Sequence, residues 1–171
     1  MSRTSSKNNK SMFQMCREEL GWSREKASVE LGISPERIER IENGKLSIYP
    51  DEVILMAQHY KNPNLCNYYC SKQCPIGMKY VPEIKMKNLS QIILEMLASL
   101  NSMSKNQERL IEITYDGDIS NDEIEDFIRI QMELERISTT VETLRLWCEQ
   151  MLAQGIIDQE AYEICKKRLV K

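Results

Sequence analysis

Between residues 23 and 44 the chain twice repeats one local pattern: a serine, a stretch of about eight residues at helical spacing, and a stop. Ser23 precedes Arg-Glu-Lys-Ala-Ser-Val-Glu-Leu, with Ala27, Val29 and Leu31 as apolar positions, and Gly32 closes it. Ser34 then precedes Pro35, with Ile38 and Ile41 as the buried positions, and Asn43-Gly44 closes that run. A serine hydroxyl accepts a hydrogen bond from an otherwise unsatisfied N–H of the first turn. Proline suits the first helical position, and glycine takes the left-handed backbone that ends a helix. An earlier segment with Met12, Met15, Cys16 and Leu20 at helical spacing stops in the same way at Gly21. Helices this short cannot persist alone, so they must pack on one another at once.

Two short helices joined by a tight turn containing glycine read as a helix-turn-helix, whose second helix enters the major groove. The segment resembles the phage-repressor, or XRE, family through Leu20-Gly-Trp-Ser-Arg-Glu-Lys-Ala27, Leu31-Gly-Ile-Ser34 and Ile38-Glu-Arg-Ile-Glu-Asn-Gly-Lys45. The resemblance covers roughly residues 12–65. It implies a five-helix, lambda-repressor-like bundle, with a fourth helix over 51–60 using Val53, Leu55, Met56 and Ala57 as core, and a fifth after Pro63. It implies a partly buried ion pair between Arg17 and Glu42, and DNA as the partner. Ser23, Arg24, Asn43 and Lys45 then fall where the family grips phosphates, and Ser34, Glu36, Arg37 and Arg40 where it meets base edges. The fork of Arg40 matches guanine O6 and N7, and Glu36 can accept from cytosine N4. Arg3 and Lys7 belong to a polar arm expected to be disordered.

Cys66, Cys70 and Cys74 stand four residues apart, a spacing that puts them on one face of a helix. Three thiolates can hold zinc or an iron-sulfur cluster, with His59 or a distant cysteine as the fourth ligand. Structural zinc sites favour two cysteine pairs, however, and no second pair is present, so the cysteines are expected to be small buried hydrophobes and no metal or other cofactor is expected. With one histidine, no Gly-rich phosphate loop and no paired-carboxylate signal, no enzymatic activity is expected. The stretch Asp116-Gly-Asp-Ile-Ser-Asn-Asp122 fails the spacing of a calcium loop and reads as a turn before a helix.

Charge separates the two halves. Residues 1–88 hold 14 Lys and Arg against 10 Asp and Glu, a net of +4, whereas residues 89–171 hold 9 against 16, a net of −7. The first half can approach a polyanion and the second is repelled by one. The expected organisation is a DNA-binding domain over 1–77, a linker over 78–87, and a helical dimerisation or regulatory domain over 88–171.

In the second half, Leu89, Ile93, Met96, Leu100, Met103, Gln107 and Leu110 alternate steps of four and three, which predicts one helix of about seven turns. After a turn at Asp116-Gly117, Phe127, Ile130, Leu134, Ile137, Val141, Leu144, Cys148 and Met151 form a second seam that ends at Gly155. An amphipathic third helix is expected over 158–170. The two long helices should be antiparallel neighbours, and one seam each cannot also bury Ile92, Leu97, Ile111, Ile128, Leu146 and Trp147. Phe127, Ile130, Leu134, Ile137, Val141 and Leu144 are therefore the expected dimerisation residues, in a homodimer suited to a dyad-symmetric DNA site.

Leu, Ile, Met, Glu and Lys abound while aromatics make up only 6%, which favours an all-α fold. No apolar run reaches the length of a membrane span and no leader is seen, so a cytoplasmic location is expected. The expected function is a DNA-binding transcriptional repressor acting as a homodimer on double-stranded DNA. The alternatives are a helix-turn-helix module that binds protein, such as an antitoxin or adaptor, and a metal- or redox-responsive regulator built on the cysteines.

Overall fold

The computed structural model describes residues 10–115 and 117–169. The chain divides into two compact units, one made of the part up to Glu83 together with Glu149 onward, the other of Ile84–Cys148. All regular structure among the described residues is helical.

The first unit starts with α1 (Met12–Glu19), α2 (Arg24–Leu31), α3 (Pro35–Glu42), α4 (Pro50–His59), α5 (Asn64–Lys72) and the single turn α6 (Gly77–Tyr80). Three serine caps set the starts of the first three: Ser11, Ser23 and Ser34 Oγ accept from the backbone N–H of Gln14, Lys26 and Arg37 at 3.3, 3.1 and 3.3 Å. Gly21, Gly32 and Gly44 all lie near φ +65, and Gly32 makes the turn between α2 and α3. Phe13, Ala27, Leu31, Ile38, Ile41, Val53, Met56 and Leu65 form the core, each large side chain contributing roughly 1.5–3 kcal/mol on burial. Val29, one of the three apolar positions of α2, is 80% exposed while Ala27 and Leu31 are buried. It lies two residues from both Ala27 and Leu31, on the far side of the helix from them.

The sixth helix was not anticipated. It closes tightly over the end of α5, where a Cβ on Gly77 would come 2.2 Å from the carbonyl oxygen of Cys70.

In the second unit Asn88 caps α7 (Leu89–Lys105) by a reciprocal pair, its Oδ1 accepting from Gln91 N at 2.9 Å while Gln91 Oε1 accepts from Asn88 N. The single seven-turn helix is corrected: α7 ends at Lys105, and α8 (Gln107–Ile113) follows a break at Asn106. The Asn106 amide donates to Ser102 O at 3.1 Å, taking the carbonyl that its own N–H would use, and that N–H reaches Met103 O instead. The first seam is corrected too. Ile92, Ser99 and Ile113 are buried, while Leu89, Ile93 and Leu100 are 38–47% exposed.

Ser120 and Glu123 form the turn that opens α9 (Ile124–Ala153). Arg109 pairs with Asp126 at 2.7 Å, and Ser99 shares a groove with Thr140 and Thr143, so α7 and α9 run antiparallel within the unit. Of the expected seam, Ile130 is buried, Phe127, Ile137 and Leu144 are half-buried, and Leu134 and Val141 are each 48% exposed. Thr140 and Thr143 are buried and donate to the carbonyls of Arg136 and Thr139 on their own helix. Ile92 and Leu146 are buried as well, whereas Leu97, Ile111 and Ile128 are exposed.

Gly155, at φ +72, ends α9 with Ile156 N donating to Met151 O. Asp158 then caps α10 (Gln159–Leu169), its Oδ1 accepting from Ala161 N at 2.7 Å. The end of α9 belongs with the first unit, since Gln150 Nε2 donates to Lys61 O at 3.0 Å. The division between the units falls at 83/84, and residues 149–169 group with the first unit. Among the described residues no helix is long and apolar enough to cross a membrane.

Candidate nucleic-acid interface

Two carboxylates organise the charged side chains around α2 and α3. Glu42, on the last turn of α3, is 3% exposed and faces Arg17 of α1, itself 5% exposed. Arg17 Nε donates to Glu42 Oε1 at 2.6 Å, Nη2 to Oε2 at 3.0 Å, and Nη1 to the Trp22 carbonyl at 2.5 Å. The pair implied by the family resemblance is thus fully buried. It gains a third member, because Arg24 Nε donates to Glu42 Oε2 at 2.9 Å. The hydrogen bonding of Arg17 to Glu42 holds its guanidinium pKa above the ordinary value. Tyr60 packs edge-on against Trp22, and burial pushes its hydroxyl pKa up.

Glu52, in the first turn of α4, organises the other cluster. It binds Arg37 through both oxygens, and its Oε2 also accepts from Tyr49 N at 2.9 Å. The hydrogen bond from Arg37 holds the Glu52 carboxyl below the usual carboxylate range. The Arg37 guanidinium lies 4.8 Å from the centre of the Tyr49 ring.

The expected contact residues therefore fall into two sets. Arg24 and Arg37 are half-buried and tied to carboxylates. Ser23, Ser34, Glu36, Arg40, Asn43 and Lys45 are exposed, and among the described residues Arg40 and Lys45 form no ion pair. Ser34 already accepts the capping N–H, so its hydroxyl proton is what it can still offer outward, whereas the Ser23 hydroxyl both accepts its capping N–H and donates to the Glu25 carboxylate. Tyr49 and Glu52 were missed in the sequence. Their signal was Tyr49-Pro50-Asp51-Glu52, a proline-started helix with a glutamate at the third position. Lys26, also missed, pairs with Glu30 and lies over the Trp22 ring. The arm residues Arg3 and Lys7 lie outside the described residues.

The cysteine face is corrected in part. Cys66 and Cys70 lie on α5, but Cys74 lies beyond its end, where its Sγ accepts from Gly77 N. All three are half-buried rather than buried. Among the described residues no group of three or more His, Cys, Asp or Glu side chains is arranged to hold a metal ion. The buried thiol is Cys16, whose pKa burial raises to about 11.

Residues 13–63 match the family described as helix-turn-helix. This segment is a helix-turn-helix domain of the XRE type, a class of DNA-binding regulators. No curated protein and no solved structure matches the chain.

Proposed function

We propose that this protein is a transcriptional repressor that binds double-stranded DNA as a homodimer, with α3 in the major groove and the second unit supplying the dimer contact. The observation that carries the reading is the outer surface of the matched domain, where Arg40 and Lys45 stand exposed with no counter-ion among the described residues. A guanidinium on the recognition helix suits a guanine edge, and an ammonium in the turn after it suits a phosphate. Ser23, Asn43 and Arg24 extend the phosphate-facing row. The two Nη groups of Arg24 are not used by Glu42 and can donate outward.

Dimerisation is supported by the unevenness of the second unit. Ile93 and Leu100, seven residues apart, line one side of α7, and Leu134 and Val141, also seven apart, line one side of α9. In an antiparallel pair these stripes share a side. The opposite side is a groove of about 540 Å³ of mixed lining, with Glu95, Arg136 and Thr139 beside Ala98 and Met132. An apolar stripe left 38–48% exposed fits burial against a second copy better than exposure to water.

The test is binding of the full chain to the DNA upstream of its own reading frame across a salt series, beside Arg40→Ala. Specific binding that weakens steeply with salt and is lost in the variant supports the reading. A folded dimer that fails to bind at low salt would transfer the domain to a protein-interaction role.

A further inference from the structure

A guanidinium has two edges that each present a pair of N–H donors. In Arg37 the side-on edge is occupied: Nε donates to Glu52 Oε1 at 2.5 Å and Nη2 to Oε2 at 2.8 Å. One face of the plane is covered by the Tyr49 ring at 4.8 Å. Glu52 is itself fixed, with a side chain only 12% exposed and an oxygen accepting from Tyr49 N at the start of α4. The end-on edge, formed by Nη1 and the second proton of Nη2, has no acceptor among the described residues.

We infer that Glu52 and Tyr49 are positioning residues that aim the end-on edge of Arg37 at a guanine in the major groove, where O6 and N7 accept its two donors. The inference rests on the reading of α3 as the DNA-recognition helix. Two features favour a base over a phosphate. Glu52 offsets much of the Arg37 charge, which weakens the attraction a phosphate depends on, yet it leaves a planar donor pair intact. The side chain is also held before DNA arrives, so its ordering cost is met in folding rather than in binding. Arg40 has neither support.

Full-length protein, Arg37→Ala, Glu52→Gln and Tyr49→Ala are each used to select duplexes from a randomised library. Affinities for the selected sequence and its single-base changes are then measured across salt, with Tm recorded. Glutamine at position 52 can still accept from Tyr49 N, as in a capping box, so the fold is retained. The wild type is expected to prefer a guanine at one position by about fivefold or more. Arg37→Ala loses that preference at that position alone. Glu52→Gln weakens the same preference while binding unrelated duplexes more tightly, with a salt slope steeper by about one, because a charge has been released. Tyr49→Ala weakens the preference without changing the slope.

Full guanine preference in Glu52→Gln would overturn the inference. So would a loss spread evenly over all positions with a lowered Tm, which would make Glu52 a helix cap only. Uniform weakening in Arg37→Ala would make Arg37 a phosphate contact. A wild type that selects no sequence at all removes the DNA reading, and this inference with it. In every other outcome the wild type still selects a site.

Discussion

At the scale of single residues, the buried Glu42 carboxylate ties α1 and α2 to α3. Its two oxygens receive Arg17 from 25 residues away and Arg24 from 18 away. Glu42→Ala leaves Arg17 buried without its counter-ion, so urea denaturation should report a loss of about 3–5 kcal/mol. The pairing of Arg17 with Glu42 was legible through the family resemblance. The capture of Arg24 was not, because a sequence shows that an arginine lies near a domain surface but not which carboxylate a turn brings beside it. The serine caps were legible for the opposite reason. Ser23 and Ser34 act on N–H groups three residues away, within the reach of local sequence.

At the scale of elements, the short helices of the first unit follow their caps and glycine stops closely, because those signals act within one turn. The sixth helix and the break in α7 do not carry such signals. The α6 turn exists because Gly77 has no Cβ and can lie against the backbone of Cys70. Gly77→Ala forces backbone apart at that contact, and thermal unfolding should show a loss of about 1–3 kcal/mol. The break at Asn106 depends on a side-chain amide competing for one carbonyl, a competition that a hydrophobic period does not register. Within α7 itself the buried side is that of Ile92 and Ser99, a neighbouring stripe that a hydrophobic period does not distinguish from Leu89, Ile93 and Leu100.

At the scale of the whole molecule, charge separates the two halves of the sequence, net +4 over residues 1–88 and −7 over residues 89–171. The exposed stripe of Ile93, Leu100, Leu134 and Val141 belongs to the acidic unit. Sedimentation equilibrium is expected to give twice the 20.0 kDa of one chain. Leu134→Glu combined with Val141→Glu should shift it to the single-chain mass while the helical circular dichroism is retained. A dimer that survives both substitutions would exclude this stripe as the contact. The expected six-residue seam mixes two environments, since Ile130 is buried within the unit while Leu134 and Val141 face outward.

Residue order by itself determined the all-helical class, the helix-turn-helix and its serine and glycine punctuation, because caps, breakers and periodicity act between residues one to four apart. Only the tertiary structure decided which arginines remain available to a partner. Arg37 and Glu52 are 15 residues apart and meet because the fold brings the first turn of α3 beside the first turn of α4. It also decided which flank of each long helix turns inward, and that the last helix joins the first unit. Those outcomes depend on competition among surfaces distant in sequence, where small differences in packing and hydrogen bonding choose between arrangements that the pattern allows equally.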